Sequence, residues 1–162
     1  MKLNKILTAL LLSAVSLGLI SCNDQTAQVG KPAPELAAFD LQGNAVSLEN
    51  IKGNTTLLIF WSETCGICVA ELKEFQQMAE KHPNKIKLLA INVDGEKADT
   101  QAVVNKRHLT LPVVKDQLKI TAERYQLQGT PTSFLIGADG IIQQKFEGKI
   151  EKNELEHLFT QG

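Results

Sequence analysis

Two cysteines stand three positions apart at Cys65-Gly66-Ile67-Cys68. Such a pair can close into a disulfide and open again. One thiolate attacks a target disulfide, and the second resolves the mixed disulfide that results. The chemistry needs a thiol whose pKa lies below the roughly 8.5 of a free cysteine. The surrounding sequence supplies a reason for that. A continuous apolar, β-favouring run, Thr55-Thr56-Leu57-Leu58-Ile59-Phe60-Trp61, ends just before the pair, and a helical period begins at Gly66. Cys65 therefore falls at a helix N-terminus, where backbone N–H groups lack internal partners and the dipole is positive. Cys65 is assigned as the nucleophile and Cys68, one turn later, as the resolving thiol.

Other uses of the pair fit less well. A zinc site wants four ligands. No second cysteine pair is present, and His82, His108 and His157 are scattered. No metal and no cofactor are expected. A purely structural bridge across so short a loop would stabilise the fold less than one closing a long loop.

The elements that must position the cysteines follow from hydrophobic periodicity. Leu36 to Phe39 and Ala45 to Leu48 are expected as a hairpin. The run Thr55–Trp61 reads as a strand covered on both faces. From Gly66 to about Lys81, Cys68, Leu72, Phe75 and Ala79 recur at helical spacing, and His82-Pro83-Asn84 stops the helix. Ile86–Val93 reads as a second buried strand, Lys97–His108 and Leu118–Tyr125 as helices, and Thr132–Ile136 as a third strand. Asp139-Gly140 signals a hairpin into Ile141–Phe146, and Glu151–Phe159 closes the chain as a helix. The expected order after the hairpin is β-α-β-α-β-β-α. This is an α/β fold with a mixed central sheet flanked by helices.

With these residues in place, two segments resemble the thioredoxin superfamily. Phe60-Trp61-Ser62-Glu63-Thr64-Cys65-Gly66-Ile67-Cys68 is similar to its active-site segment. Gly129-Thr130-Pro131-Thr132, running into Ser133–Ile136, is similar to its cis-proline segment. The Gly30-Lys31-Pro32-Ala33-Pro34 lead-in and the hairpin resemble the TlpA/ResA-like branch, membrane-tethered thiol–disulfide reductases. Peroxiredoxins share this lead-in. The resemblance implies a thioredoxin fold with an N-terminal β-hairpin extension and a cis bond before Pro131. It also implies a substrate-binding surface involving Trp61, Thr130 and Pro131, with Thr130 offering its backbone to an extended client. Glu96 resembles an acidic residue found near the active site in some members, where it would assist proton transfer, although a solvated loop carboxylate is the simpler reading. Thr64 and Ile67 stand where Trp and Pro are common, and Ile59 stands where thioredoxin carries a buried Asp.

The N-terminus speaks to location. Met1–Lys5 is positive, Ile6–Ile20 is mostly apolar, and Leu19-Ile20-Ser21-Cys22 resembles the bacterial lipobox. A run of about 15 residues is short for crossing roughly 30 Å of hydrocarbon, so it reads as a cleaved export signal. The expected organisation is a lipoprotein signal at 1–21, lipidated Cys22 with a tether to 31, and a thioredoxin-like domain over 32–162. Cleavage leaves 141 residues with a formal charge of −3, against −1 for the whole chain. That length suits one domain, and the balance gives no footprint for nucleic acid. The expected partners are protein disulfides, a membrane thiol–disulfide electron donor, and the membrane itself through the lipid. The domain would lie in the periplasm or otherwise outside the cytoplasm.

Four functions remain open on these residues. A reductase of protein disulfides, with cytochrome c maturation as one setting, heads them. An oxidant or isomerase would use the same cysteines in the opposite direction. A thiol peroxidase fits Ser62 but meets Leu58 where the peroxiredoxin pattern wants proline. A non-catalytic binding lipoprotein is the fourth.

Overall fold

The computed structural model describes residues 26–161; the segment read as a signal and Cys22 lie outside the described residues. Strands β1 (Ala38–Asp40) and β2 (Ala45–Val46) form the N-terminal hairpin. Then come β3 (Thr56–Trp61), α1 (Gly66–Lys81), β4 (Lys87–Asn92), α2 (Thr100–Arg107), β5 (Val113–Lys115) and α3 (Ile120–Arg124). The chain ends with β6 (Thr132–Ile136), β7 (Ile142–Glu147) and α4 (Lys152–Gln161). The seven strands lie in the order β2-β1-β5-β4-β3-β6-β7. β3 runs parallel to β4 and antiparallel to β6. The hairpin expected at Asp139-Gly140 pairs β6 with β7 antiparallel, and Gly140 takes the positive φ of +83° that this tight reversal demands.

Why these residues make this sheet is plain in β3. All six are buried, and successive side chains enter opposite cores. Leu57, Ile59 and Trp61 join one cluster with Cys68, Leu72 and Phe75 of α1 and Leu155, Leu158 and Phe159 of α4. Leu58 and Phe60 join the other, with Tyr125 and Phe134. There Phe60, Tyr125 and Phe134 pack with ring centroids 5.0–5.9 Å apart, and the Tyr125 hydroxyl donates to Pro34 O at 2.8 Å. A strand with apolar side chains on both faces needs cover on both faces, and the helices and N-terminal segment provide it.

Two expectations need correction. β5 is absent from the sequence reading. Its three residues follow Pro112 and hold only two apolar positions, too few to show a period. It forms because β4 offers it a parallel edge, Ala90 opposite Val113 and Ile91 opposite Val114, while β1 pairs on its other side. The boundary at residue 32 also moves. Ala27 N donates to Arg124 O at 2.9 Å and Gly30 N to Ile142 O at 2.8 Å. The later part of the expected tether is thus stitched to the domain. Among the described residues, no helix is long and apolar enough to cross a membrane.

Candidate active site

Trp61 ends β3 and Gly66 begins α1, so four residues, Ser62 to Cys65, carry the chain from sheet to helix. Cys65 is the N-cap of α1. Its sulfur accepts from Cys68 N at 3.2 Å, a side-chain cap of the kind that satisfies an orphan helix donor. The helix keeps its period because Cys68, Leu72 and Phe75 are buried on one face, with Ala79 half-buried beyond them.

The two cysteines form a disulfide, with Cα atoms 5.2 Å apart. They are not equivalent. Cys65 is half-exposed, whereas Cys68 is 1% exposed. An incoming sulfur can reach Cys65 but not Cys68. Beside them Ile67 presents an apolar side chain, 53% exposed.

The second segment comes in from the start of β6. The Thr130–Pro131 bond is cis, and the Thr130 carbonyl oxygen lies 3.8 Å from Cys65 Sγ. Thr130 is half-buried and Pro131 is buried. Folding therefore joins two motifs separated by 65 positions in the chain. Trp61 is placed differently from the expectation. It is 0% exposed, packed in the same cluster as the cysteines, and has no surface to offer a substrate. Its position below the loop is a supporting one. Ile59, in the same cluster, is 1% exposed.

The expected acid, Glu96, is exposed, and its carbonyl oxygen accepts from Lys115 Nζ at 3.2 Å. The acid joined to the active-site loop is instead Asp94, just after β4. Its carboxylate accepts from Ser62 Oγ at 2.7 Å, Glu63 N at 2.7 Å and Asn92 Nδ2 at 2.8 Å. Burial works against its charge, but these hydrogen bonds and nearby Lys119 together outweigh it and hold its pKa below the usual carboxylate range. Glu63, in the same loop, accepts from Thr100 Oγ1 of α2 at 2.8 Å.

A second carboxylate was hidden in α1. Glu71 lies three residues beyond Cys68 on its buried side and is 1% exposed. Its Oε1 accepts from Ile150 N at 2.6 Å, while Oε2 has no protein partner. Burial pushes its pKa up to about 7, opposed by the Ile150 N–H and by Lys149. Its spacing from Cys68 was the available signal. A Glu at i+3 from a residue of the apolar stripe must sit beside that stripe. Asp94 gave no such sign, because an Asp before a Gly at a strand end has the sequence of a turn. Among the described residues no cluster of three His, Cys, Asp or Glu is placed to hold a metal ion.

This arrangement suits thiol–disulfide exchange. It presents an accessible sulfur at a helix N-terminus, a buried partner sulfur within bonding reach, and a backbone edge alongside. Comparison with known proteins agrees. Residues 29–145 match the AhpC/TSA family. The thiol-disulfide oxidoreductase ResA of Bacillus cereus is 31% identical over 130 residues, covering 80% of this chain and 75% of that one. The sporulation thiol-disulfide oxidoreductase A of Bacillus subtilis is 31% identical over 147 residues, covering 86% and 88%. The fold matches the thioredoxin domain of a thiol-disulfide oxidoreductase from Bacteroides vulgatus with a TM-score of 0.70 at 24% identity, over 82% of this chain and 95% of that one. A disulfide-forming C-x-x-C at the head of α1, on a thioredoxin fold with relatives of this kind, places the chain in the AhpC/TSA family, among the ResA-like thiol–disulfide oxidoreductases.

Proposed function

We propose that this oxidoreductase works outside the cytoplasm, tethered through a lipid on Cys22, and reduces protein disulfides with electrons from a membrane thiol relay. Apocytochrome c cysteines are one such client class. The observation that carries exchange through Cys65 is the asymmetry of the pair, a half-exposed Cys65 capping α1 over a buried Cys68; the lipobox-like Leu19-Ile20-Ser21-Cys22 supports the tether.

In the reduced enzyme the Cys65 thiolate attacks one sulfur of a client disulfide. That S–S bond breaks, the other client sulfur leaves as a thiolate, and a Cys65–client disulfide forms. Cys68 then gives up its proton and attacks the Cys65 sulfur. The second client thiolate leaves, and the Cys65–Cys68 disulfide seen here results. Two electrons have passed from the pair to the client. During the first step the Cys68 N–H and the dipole of α1 stabilise the Cys65 anion. Thr130, with its carbonyl oxygen at 3.8 Å, supplies the backbone against which an extended client strand would lie. The buried Pro131 fixes that edge beside the sulfur.

The test is capture. A Cys68→Ser chain expressed in its own cells leaves the first mixed disulfide unresolved, so client proteins should be recovered on Cys65 and released by dithiothreitol. Recovery of no Cys65-linked protein counts against protein substrates. The tether is tested separately. Mass spectrometry of the mature N-terminus should find diacylated or triacylated Cys22, and an unmodified residue there would remove the anchor.

A further inference from the structure

The loop that delivers Cys65 carries polar side chains in place of packing. Ser62 and Thr64 stand with their hydroxyl oxygens 3.1 Å apart, and Glu63 is tied to Thr100. Two groups of this loop, Ser62 Oγ and Glu63 N, meet on Asp94. We propose that Asp94 is a positioning residue for Cys65, holding the Ser62–Thr64 loop in the turn that sets the attacking sulfur at the head of α1. The inference rests on Cys65 being the nucleophile.

The geometry carries it in three steps. Asp94 is itself fixed to the end of β4: its N–H donates to Asn92 Oδ1 at 3.1 Å, and Val93 N donates to Trp61 O at 3.1 Å. Its two oxygens then divide three donors. Oδ1 takes Ser62 Oγ; Oδ2 takes Glu63 N and Asn92 Nδ2. An amide could keep its oxygen on Glu63 N and Asn92 Nδ2 and donate its NH₂ to Ser62 Oγ, so only removal of the side chain releases the loop. Finally, the fixed Ser62 sets the next turn, since Cys65 N donates to Ser62 O at 3.1 Å and Val69 N to Cys65 O at 3.2 Å. The cap from Cys68 N to Cys65 Sγ is built on that turn.

Position and charge make opposite demands here. The charged groups around the loop are Asp94 itself, Glu63 from the loop, and Lys119. If Asp94 mattered only as a negative charge, neutralising it would make a nearby thiolate easier to form. If it positions Cys65, losing it loosens the cap and makes the thiolate harder to form. The sign separates the two.

The experiment uses the full chain in detergent, reduced. The rate of iodoacetamide modification of each cysteine is followed against pH by peptide mass. Asp94→Ala and Ser62→Ala are compared with wild type. Ser62→Ala removes one donor and leaves the charge, so it carries the test should Asp94→Ala fail to fold. Both variants should raise the apparent Cys65 pKa by roughly half a unit to one unit, slowing modification at pH 7 about three- to tenfold. The dithiothreitol-reduced chain should also reduce insulin disulfides more slowly by a similar factor. An unchanged or lowered Cys65 pKa in the folded variants overturns the proposal, even where thermal stability falls. Wild type in which Cys68 is modified before Cys65 would instead overturn the nucleophile assignment beneath it.

Discussion

Glu71→Gln offers a prediction whose size follows from the structure. Glu71 is 1% exposed, and burial lifts its pKa from 4.5 to about 7. Below pH 4.5 the carboxyl is protonated in both the folded and the unfolded chain, and ionisation does not favour either. Between about 4.5 and 7 the unfolded chain loses this proton while the folded chain keeps it. The unfolded state then binds fewer protons, so stability falls as pH rises. Above about 7 both are ionised and the loss is complete. A shift of that size at ~1.4 kcal/mol per pKa unit is about 3 kcal/mol. The glutamine variant keeps an oxygen for Ile150 N but cannot ionise. Its absolute stability depends on how the new NH₂ is accommodated where Oε2 now lacks a protein partner. The change with pH of its stability relative to wild type does not, because that contribution is the same at every pH. The expected outcome is that the variant gains about 3 kcal/mol on wild type between pH 4 and pH 8.5. The assay is urea unfolding of the oxidised, soluble form beginning at Asn23, at several pH values, read by the fluorescence of Trp61, the single tryptophan. Keeping the disulfide closed removes cysteine titration, and the three histidines are common to both proteins. A wild-type-minus-variant difference that stays flat across this range would refute the reasoning.

Other consequences are more local. Tyr125→Phe removes the buried donor to Pro34 O; urea unfolding should show a loss of about 1–2 kcal/mol, with the insulin reduction rate unchanged. Phe75→Ala empties a fully buried site beneath α1 and should cost about 3–5 kcal/mol in the same measurement. Lys149 pairs with Glu74 at 2.6 Å on a partly exposed surface. Lys149→Met should therefore change stability by no more than about 1 kcal/mol, and any difference should fade in 1 M salt.

The chemistry was legible because it is local. C-x-x-C, the strand before it and the helix after it lie within one short stretch, and the apolar runs of β3, β4 and β6 announce themselves. The pairing of Cys65 with Thr130 was legible only through resemblance, because nothing in the spacing of two distant segments shows that they meet. What escaped notice depends on tertiary neighbours. β5 is a strand only because β4 and β1 flank it. Trp61 was placed at the substrate surface only by resemblance, although it ends a strand that already read as covered on both faces. Glu96 and Asp94 are two positions apart on one loop, and the sequence does not say which side chain turns back toward Ser62. Glu71 was the nearest miss, since helical spacing already put it beside the buried stripe.

The central claim is that Cys65 and Cys68 form a reducing pair, and its most direct test is their equilibrium reduction potential. The oxidised and reduced fractions would be read by mass after alkylation in dithiothreitol or glutathione buffers, again with the form beginning at Asn23. For a reducing pair the value should lie near or below about −220 mV, in the range of glutaredoxins and thioredoxin. A value near about −120 mV, that of a strong oxidant, would contradict that claim and reverse the direction of electron flow.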